Sequence, residues 1–222
     1  MGMLFCLAAA VCAQSGSDLG FTVRVAPKLI AQLSERFSSA APPRISEWMD
    51  FARTQKTQPF LQRVGKDKDK EAEVLQFVND SINRIPYLTD QAHWGQPDYW
   101  ATPAESVASG GGDCEDYAIA KYYLLKEIGV PLERLRITYV KAIKINEAHM
   151  VLAYYPQPNA EPLILDNLDK RVRPAGERTD LVPVYSFNDD EVVLVQGSVK
   201  GKPAQIRAWL SLQQRLTEQS RV

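Results

Sequence analysis

The hydrophobic positions in the first part of the chain repeat at helical spacing. Apolar residues recur every three or four positions, separated by charged and polar ones, which is typical of amphipathic helices. The pattern predicts three such helices, at residues 27–37, 45–55 and 66–84. Pro42 and Pro43 are expected to break the chain between the first two helices, and Ser46 is the predicted N-cap of the second.

Beyond residue 130 the pattern changes to that of β-strands. Segments rich in β-branched and aromatic residues follow one another through short turns. They predict strands at residues 134–143, 148–155, 161–168, 181–188 and 191–195, and a last helix at residues 204–216. Because helices come first and strands follow, with no internal repeat or flexible linker, we predict one α+β domain in which N-terminal helices pack on an antiparallel β-sheet.

A long loop and a further helix occupy the middle of the chain. Residues 86–112 are rich in proline, glycine and aromatic residues, and a loop of this length in a compact domain is often functional. A turn of helix is expected at residues 103–108. The next helix is predicted for residues 114–128, where Gly129 and Pro131 end it.

Composition and charge are those of an ordinary globular protein. The 222 residues are 45% hydrophobic and 24% charged, which is enough for one well-developed core. The net charge of -1 gives no reason to expect nucleic acid or an anionic membrane surface as a partner.

Residues 1–13 have the features of a short secretory signal peptide. An uncharged apolar run ends in Val11-Cys12-Ala13, with small residues where a signal peptidase cleaves. The run lacks the usual preceding basic residues, so the alternative is a hydrophobic N-terminal helix that is retained. Lipid attachment at Cys12 fits less well, because Val11 is large for that motif. We expect export, with residues 14–222 as a single mature domain.

Cleavage after Ala13 would leave Cys114 as the one cysteine of the mature chain. A lone thiol in an oxidising compartment is buried, intermolecular or reactive. Cys114 follows three glycines and stands between Asp113 and Glu115. We predict that Asp113 caps the helix and that the helix start favours the thiolate form of Cys114, against the repulsion of the two carboxylates.

A thiol nucleophile needs a base, and the chain contains two histidines, His93 and His149. His149 lies in an apolar strand pattern, and the next strand places Asp166 in an apolar run. Burying either group alone is costly, whereas pairing them satisfies both. We therefore predict a catalytic triad of Cys114, His149 and Asp166, with His93 structural or on the surface. The alternatives are a packed cysteine, a core histidine and an aspartate that begins a turn.

The residues around these positions also resemble a known family. The segments are "WGQPDYWATPAESVASGGGDCEDYAIAKYYLLKEIGV", then "AHMVL", then "LILDNL". They are similar to the bacterial transglutaminase-like cysteine peptidases of the LapG type, over most of residues 70–200. The resemblance implies a papain/transglutaminase-like fold with the nucleophile at a helix N-terminus, export to the periplasm, and the same Cys114, His149 and Asp166 triad.

The resemblance further implies calcium dependence. The positions that match the family's acids are Asp113 and Glu115, with Asp116 a third candidate ligand, and Ca²⁺ prefers such oxygen ligands. Without a metal, Glu115 and Asp116 would be favourable charges at a helix N-terminus. An oxyanion donor is needed as well, and either Trp94 or Trp100 is a candidate besides the Cys114 backbone N–H; aromatic packing is the alternative for both.

The function that the resemblance implies is that of a periplasmic cysteine endopeptidase. Its expected substrate is a large cell-surface adhesin, cut near the N-terminus so that a biofilm is released. Its expected partner is an inner-membrane cyclic-di-GMP receptor, whose periplasmic domain sequesters the protease. The alternatives are a transglutaminase-type acyltransferase with the same triad, a non-catalytic binding module, and a zinc site formed by Cys114 and His149.

Overall fold

The computed structural model describes residues 27–55, 60, 67–194 and 200–221. The predicted signal peptide at residues 1–13 lies outside the described residues. In the described ranges, no helix has the length and apolar character needed to cross a bilayer.

The helices lie close to where the sequence pattern predicts them. They are α1 (Pro27–Phe37), α2 (Ala41–Gln55), α3 (Lys68–Ile82), α4 (Asp90–His93), α5 (Pro103–Ser109), α6 (Cys114–Glu127) and α7 (Arg207–Ser220). The predicted start of α2 is wrong. Pro42 and Pro43 lie inside its first turn, where a proline is tolerated because first-turn N–H groups have no helical partner. Ser46 is therefore an exposed residue within the helix and not its N-cap.

Seven strands form one antiparallel sheet in the described part of the chain. They are β1 (Leu135–Ala142), β2 (Glu147–Tyr154), β3 (Leu163–Leu165), β4 (Arg173–Pro174), β5 (Leu181–Phe187), β6 (Val192–Leu194) and β7 (Lys200–Gly201). Their order across the sheet is β4-β3-β2-β1-β5-β6-β7, and each neighbouring pair is antiparallel. The predicted α+β class, with helices packed on an antiparallel sheet, is confirmed.

The two faces of the sheet bury different side chains. Along β2, Met150, Leu152 and Tyr154 belong to the main core beneath the helices. Val151 and Ala153 alternate with them and belong to a smaller apolar cluster on the other face. This alternation is the period-two pattern expected of a strand with both faces covered.

Helix α6 is the central helix of the main core. Its residues from Asp116 to Leu125 are buried, and it packs across β2 and β1. A helix that is enclosed on all sides has a fixed axis, so its first residue is held in a fixed position relative to the sheet. Cys114 is that first residue.

Candidate active site

Cys114 and His149 line one cleft between the start of α6 and the start of β2. The cleft has a volume of about 440 Å³. Its wall contains the ring pair Tyr139 and Tyr185, which stack with centroids 5.1 Å apart, and the side chain of Trp100. The backbone N–H of Met150, the residue after His149, favours the charged form of the Cys114 thiol and so lowers its pKa. The structure therefore brings the predicted nucleophile and the predicted base to one solvent-accessible site.

The glycines before Cys114 allow a tight turn between α5 and α6. Gly110 ends α5 with a φ of 72°, which few residues other than glycine adopt. Gly112 pairs with Tyr87 of the long loop, and its carbonyl accepts a hydrogen bond from the Leu88 N–H at 2.9 Å. A Cβ on Gly112 would lie 2.7 Å from Asp116 Oδ2, so only glycine fits there without displacing that carboxylate.

Asp113 occupies the N-cap position of α6, but its side chain makes no capping hydrogen bond. The predicted capping role of this side chain is therefore wrong. Its Oδ2 instead accepts a hydrogen bond from the backbone N–H of Asp90, at 3.2 Å. The carboxylate is turned away from the helix and toward the long loop, because the start of α4 supplies a competing donor.

The partner predicted for His149 lies directly beside it. His149 Nε2 is 2.7 Å from Asp166 Oδ1, and both residues are buried. Asp166 Oδ1 also accepts from the Leu168 N–H at 3.0 Å. Burial alone would raise the pKa of Asp166, but the hydrogen bond with His149 and the charge of Arg178 together hold it well below its usual range. An ionised Asp166 only accepts hydrogen bonds, so the Nε2 of His149 carries the proton and Nδ1 is left for the thiol.

Arg178 is a residue of the site that the sequence analysis missed. Its Nη2 lies 2.7 Å from Asp166 Oδ2, and its Nε and Nη2 each lie 3.0 Å from a carboxylate oxygen of Asp180. Arg178 is 4% exposed, which is rare for arginine unless it is paired. It lies in a loop with no apolar pattern around it, so nothing in the sequence indicated that it was buried.

The acids beside Cys114 dominate its electrostatics. The Cys114 thiol donates to Glu115 Oε2 at 3.0 Å. Burial, with the negative charges of Glu115 and Asp113, raises the pKa of Cys114 well above its usual value. The effect of a helix start, about 0.3–1 kcal/mol at a surface, is too small to offset burial beside carboxylates. The predicted preference for the thiolate therefore requires a positive charge among these acids.

Five carboxylates surround the position where such a charge would lie. Asp90 and Asp98 of the long loop lie close to Glu115, and Asp90 also lies close to Asp113 and Asp116. Burial, together with the neighbouring carboxylates, raises the pKa of Asp90 to about 6 and that of Asp113 to about 8. The sequence analysis did not name Asp90 and Asp98, because a loop of this length gives no indication of which of its acids return to the helix.

The cluster fits a divalent cation that prefers oxygen ligands. Asp90 Oδ1, Asp113 Oδ1 and Asp116 Oδ2 are buried and have no hydrogen-bond partner in the described residues. Buried carboxylate oxygens are ordinarily paired, and Ca²⁺ takes six to eight oxygens from such side chains. Within the described chain, none of the metal-ligating groups contains His149, so the structure does not assemble the alternative zinc site of Cys114 and His149.

The two candidate tryptophans lie in different places. Trp100 lines the cleft and stacks on Phe187, with ring centroids 5.8 Å apart. Trp94 packs edge-on against Phe37 at 5.5 Å, and its indole N–H has no hydrogen-bond partner among the described residues. His93 packs against Trp94 at 4.5 Å and does not line the cleft. The placement favours Trp100 over Trp94 as an oxyanion donor, a role that stays a prediction for both.

A thiol at the first turn of a central helix, in one cleft with a histidine on a strand that is paired with an aspartate just after the neighbouring strand, defines the class of transglutaminase-like cysteine proteases. The sequence model described as bacterial transglutaminase-like cysteine proteinase BTLCP matches residues 39–182. The chain belongs to this family and is a cysteine protease. No curated protein matches the chain.

Solved structures give the same assignment. The structure of LapG from Legionella pneumophila treated with EGTA is similar at 37% identity and a TM-score of 0.70, covering 85% of this chain and 96% of that one. The calcium-bound structure of the same protein is similar at 36% identity and a TM-score of 0.67, covering 85% and 98%. The similarity extends over nearly the whole of the relative, so the fold and the family are shared along most of the chain.

Proposed function

We propose that the chain is a calcium-dependent periplasmic cysteine endopeptidase that cuts a large cell-surface adhesin near its N-terminus and thereby promotes release of a biofilm. The observation that carries the chemistry is the 2.7 Å contact between His149 Nε2 and Asp166 Oδ1 in the cleft that Cys114 lines. The substrate and the compartment are supported by membership in the family and by the signal-like segment at residues 1–13.

Each residue of the cleft has its own role in the proposed reaction. Cys114 Sγ attacks the scissile carbonyl carbon while His149 Nδ1 takes the thiol proton, and the imidazolium then returns that proton to the leaving amine. Asp166 holds the ring in the orientation that leaves Nδ1 free. The Cys114 backbone N–H at the start of α6 is placed to donate to the oxyanion, and Trp100 is the candidate for the second donor.

Calcium is the metal that the acid cluster supports. Asp90, Asp98, Asp113 and Glu115 would hold it, with Asp116 on the helix side of the cluster. When bound, the ion supplies positive charge beside the thiol, which favours ionisation of Cys114. The calcium-bound structure of LapG from Legionella pneumophila supports the choice of this metal.

The proposal includes a regulatory partner. We expect an inner-membrane cyclic-di-GMP receptor to bind the protease through its periplasmic domain and keep it from the adhesin. This expectation rests on the family resemblance, and a pull-down with that receptor domain tests it separately from catalysis.

The test of function is cleavage of the N-terminal domain of a candidate adhesin. Wild type in calcium should give two fragments, whereas EGTA and the Cys114→Ala variant should each give none. Cleavage by Cys114→Ala would show that the nucleophile is misassigned. Cleavage that is insensitive to EGTA would remove calcium from the proposal and leave the triad intact.

The same assay, with a labelled primary amine added, distinguishes the endopeptidase from an acyltransferase and from a binding module. A transglutaminase-type acyltransferase would attach the amine to the substrate in preference to hydrolysing it. A binding module would retain the adhesin domain without turning it over. Fragments without incorporated amine support the endopeptidase.

A further inference from the structure

A small, partly open pocket lies on the face of the sheet opposite to α6. Its volume is about 200 Å³, and it is separate from the cleft that contains Cys114. Its walls are apolar and come from four strands and the loops beside them, chiefly Val140, Val151, Ala153, Ile164 and Leu181. Walls of this kind accept an aliphatic chain and repel charge.

One charged side chain, that of Arg178, also lines this pocket. Its Nε and Nη2 are used by Asp180 and Asp166, as described for the site. Its Nη1 is buried and has no hydrogen-bond partner among the residues that the structure describes. An unmet buried N–H of a charged group is costly, so an acceptor at this point is favoured.

The charges around Arg178 decide which acceptor fits. The guanidinium already faces two carboxylates, those of Asp166 and Asp180. A third carboxylate would leave three negative charges around one positive charge in an apolar enclosure, which is unfavourable. A neutral carbonyl oxygen accepts the same hydrogen bond without adding charge.

We propose that this pocket is a binding site for a neutral aliphatic amide or ester of about six carbons, whose carbonyl oxygen accepts a hydrogen bond from Arg178 Nη1. The aliphatic chain occupies the space between Val151, Ala153 and Ile164. Because Nη2 of the same guanidinium holds Asp166 and Asp166 holds His149, the ligand is linked to His149 through three successive hydrogen bonds. The coupling rests on the proposed function, whereas the binding itself does not.

The test uses the full chain carrying Cys114→Ala, in saturating calcium, so that no turnover is needed. Hexanamide and hexanoate are titrated separately, and the backbone amide resonances and the ring resonances of His149 are followed by NMR. We expect hexanamide to give saturable shifts confined to the pocket strands and to the His149 ring, with hexanoate binding at least tenfold more weakly. Equal or tighter binding of hexanoate would overturn the proposal. Hexanamide shifts scattered over the surface, or no shifts at all, would also overturn it, because the pocket would then hold only solvent.

Thr138 also lines the pocket and carries a hydroxyl group, and two substitutions separate its role from that of the apolar walls. Ala153→Leu fills the pocket and should weaken hexanamide binding at least tenfold, while Thr138→Val keeps the volume and should change it less than twofold. Unchanged binding to Ala153→Leu, or a tenfold loss in Thr138→Val, would each contradict the assignment. If Ala153→Leu does not fold by circular dichroism, Val151→Ile makes the same test with one added methylene. If the wild-type chain does not cleave the adhesin domain while Cys114→Ala binds hexanamide as expected, the proposed function alone is refuted.

Discussion

Arg178 and Asp166 form a buried ion pair, with 2.7 Å between Nη2 and Oδ2, on the carboxylate oxygen that His149 does not use. Each oxygen of Asp166 therefore has a partner of its own. Burial would raise the pKa of Asp166, but the hydrogen bond with His149, supported by that with Arg178, outweighs it and keeps Asp166 ionised. Because the proposed mechanism gives Asp166 the task of orienting His149, Arg178 would act on catalysis through Asp166, as a positioning residue.

We expect Arg178→Met to destabilise the fold and to shift the pH profile. Removing one partner of a buried pair costs about 3–5 kcal/mol, because Asp166 keeps an uncompensated charge. The pKa of Asp166 should then rise, so the acid limb of the kcat/KM profile should move to higher pH. Chemical denaturation and a pH–rate series measure the two effects.

The matched control for that variant is Arg173→Met. Arg173 pairs with Asp169 at 3.1 Å, but its side chain is 26% exposed, so the pair should contribute at most about 1 kcal/mol. Its pH profile should match that of wild type. Equal losses in the two variants would show that Arg178 has no special relation to Asp166.

Asp166→Asn tests the orientation of His149 with little change in shape. The amide that this substitution introduces would place no negative charge beside Nε2, so the ring is free to adopt the tautomer that blocks Nδ1. We expect kcat to fall about 10²- to 10⁴-fold with KM nearly unchanged. Steady-state kinetics on a peptide substrate measures this split, and a rise in KM with kcat retained would speak against the role of Asp166.

The sequence predicts site residues that stand out within their own segment. It does not indicate residues whose role depends on a partner far away along the chain. Cys114, His149 and Asp166 each stand out in their own segment, so local pattern was sufficient to select them. Arg178 acts on a residue 12 positions away and gives no local signal. The capping prediction for Asp113 failed for the same reason, because its competing donor, the Asp90 N–H, is 23 residues away.

Secondary structure, too, was predicted well where the local pattern determines it and less well where it does not. Periodicity located the helices and most strands, since a buried face leaves a repeating apolar pattern. The start of α2 was misplaced because prolines were treated as a break, although the first turn of a helix admits them. The predicted strand at residues 161–168 is observed only as Leu163–Leu165, since the chain turns at Asp166 to reach its partners.

Glu115→Gln should change stability in opposite directions with and without calcium. In EGTA the substitution removes one of several crowded carboxylates, so the melting temperature should rise above that of wild type. In calcium it removes a ligand, so the stabilisation by bound metal, about 2.7 kcal/mol at a hundredfold excess over Kd, should shrink. Relative to wild type, the variant should therefore have the higher melting temperature in EGTA and the lower one in calcium. The same difference in melting temperature in both buffers would show that Glu115 does not contribute to a cation site.

Lys121 provides a pH-dependent contribution to stability from inside the core. It lies on α6, is 1% exposed, and burial lowers its pKa to about 7, although Asp166 and Asp80 favour its charged form. The unfolded chain, with a lysine pKa of about 10.4, binds more protons than the folded chain between those two values. Wild-type stability should consequently gain up to about 1.4 kcal/mol per pH unit in this window as pH rises.

Lys121→Met should abolish that gain, because methionine has similar length and no proton to lose. Its advantage over wild type should be greatest near pH 7 and should shrink toward pH 9, as measured by urea denaturation in saturating calcium. Lys126→Met on the same helix is the control, since Lys126 is 37% exposed and pairs with Asp189, and its curve should stay parallel to wild type. If the Lys121→Met curve also stays parallel to wild type, Lys121 is charged in the folded protein across the whole range, and its partners Asp166 and Asp80 outweigh burial.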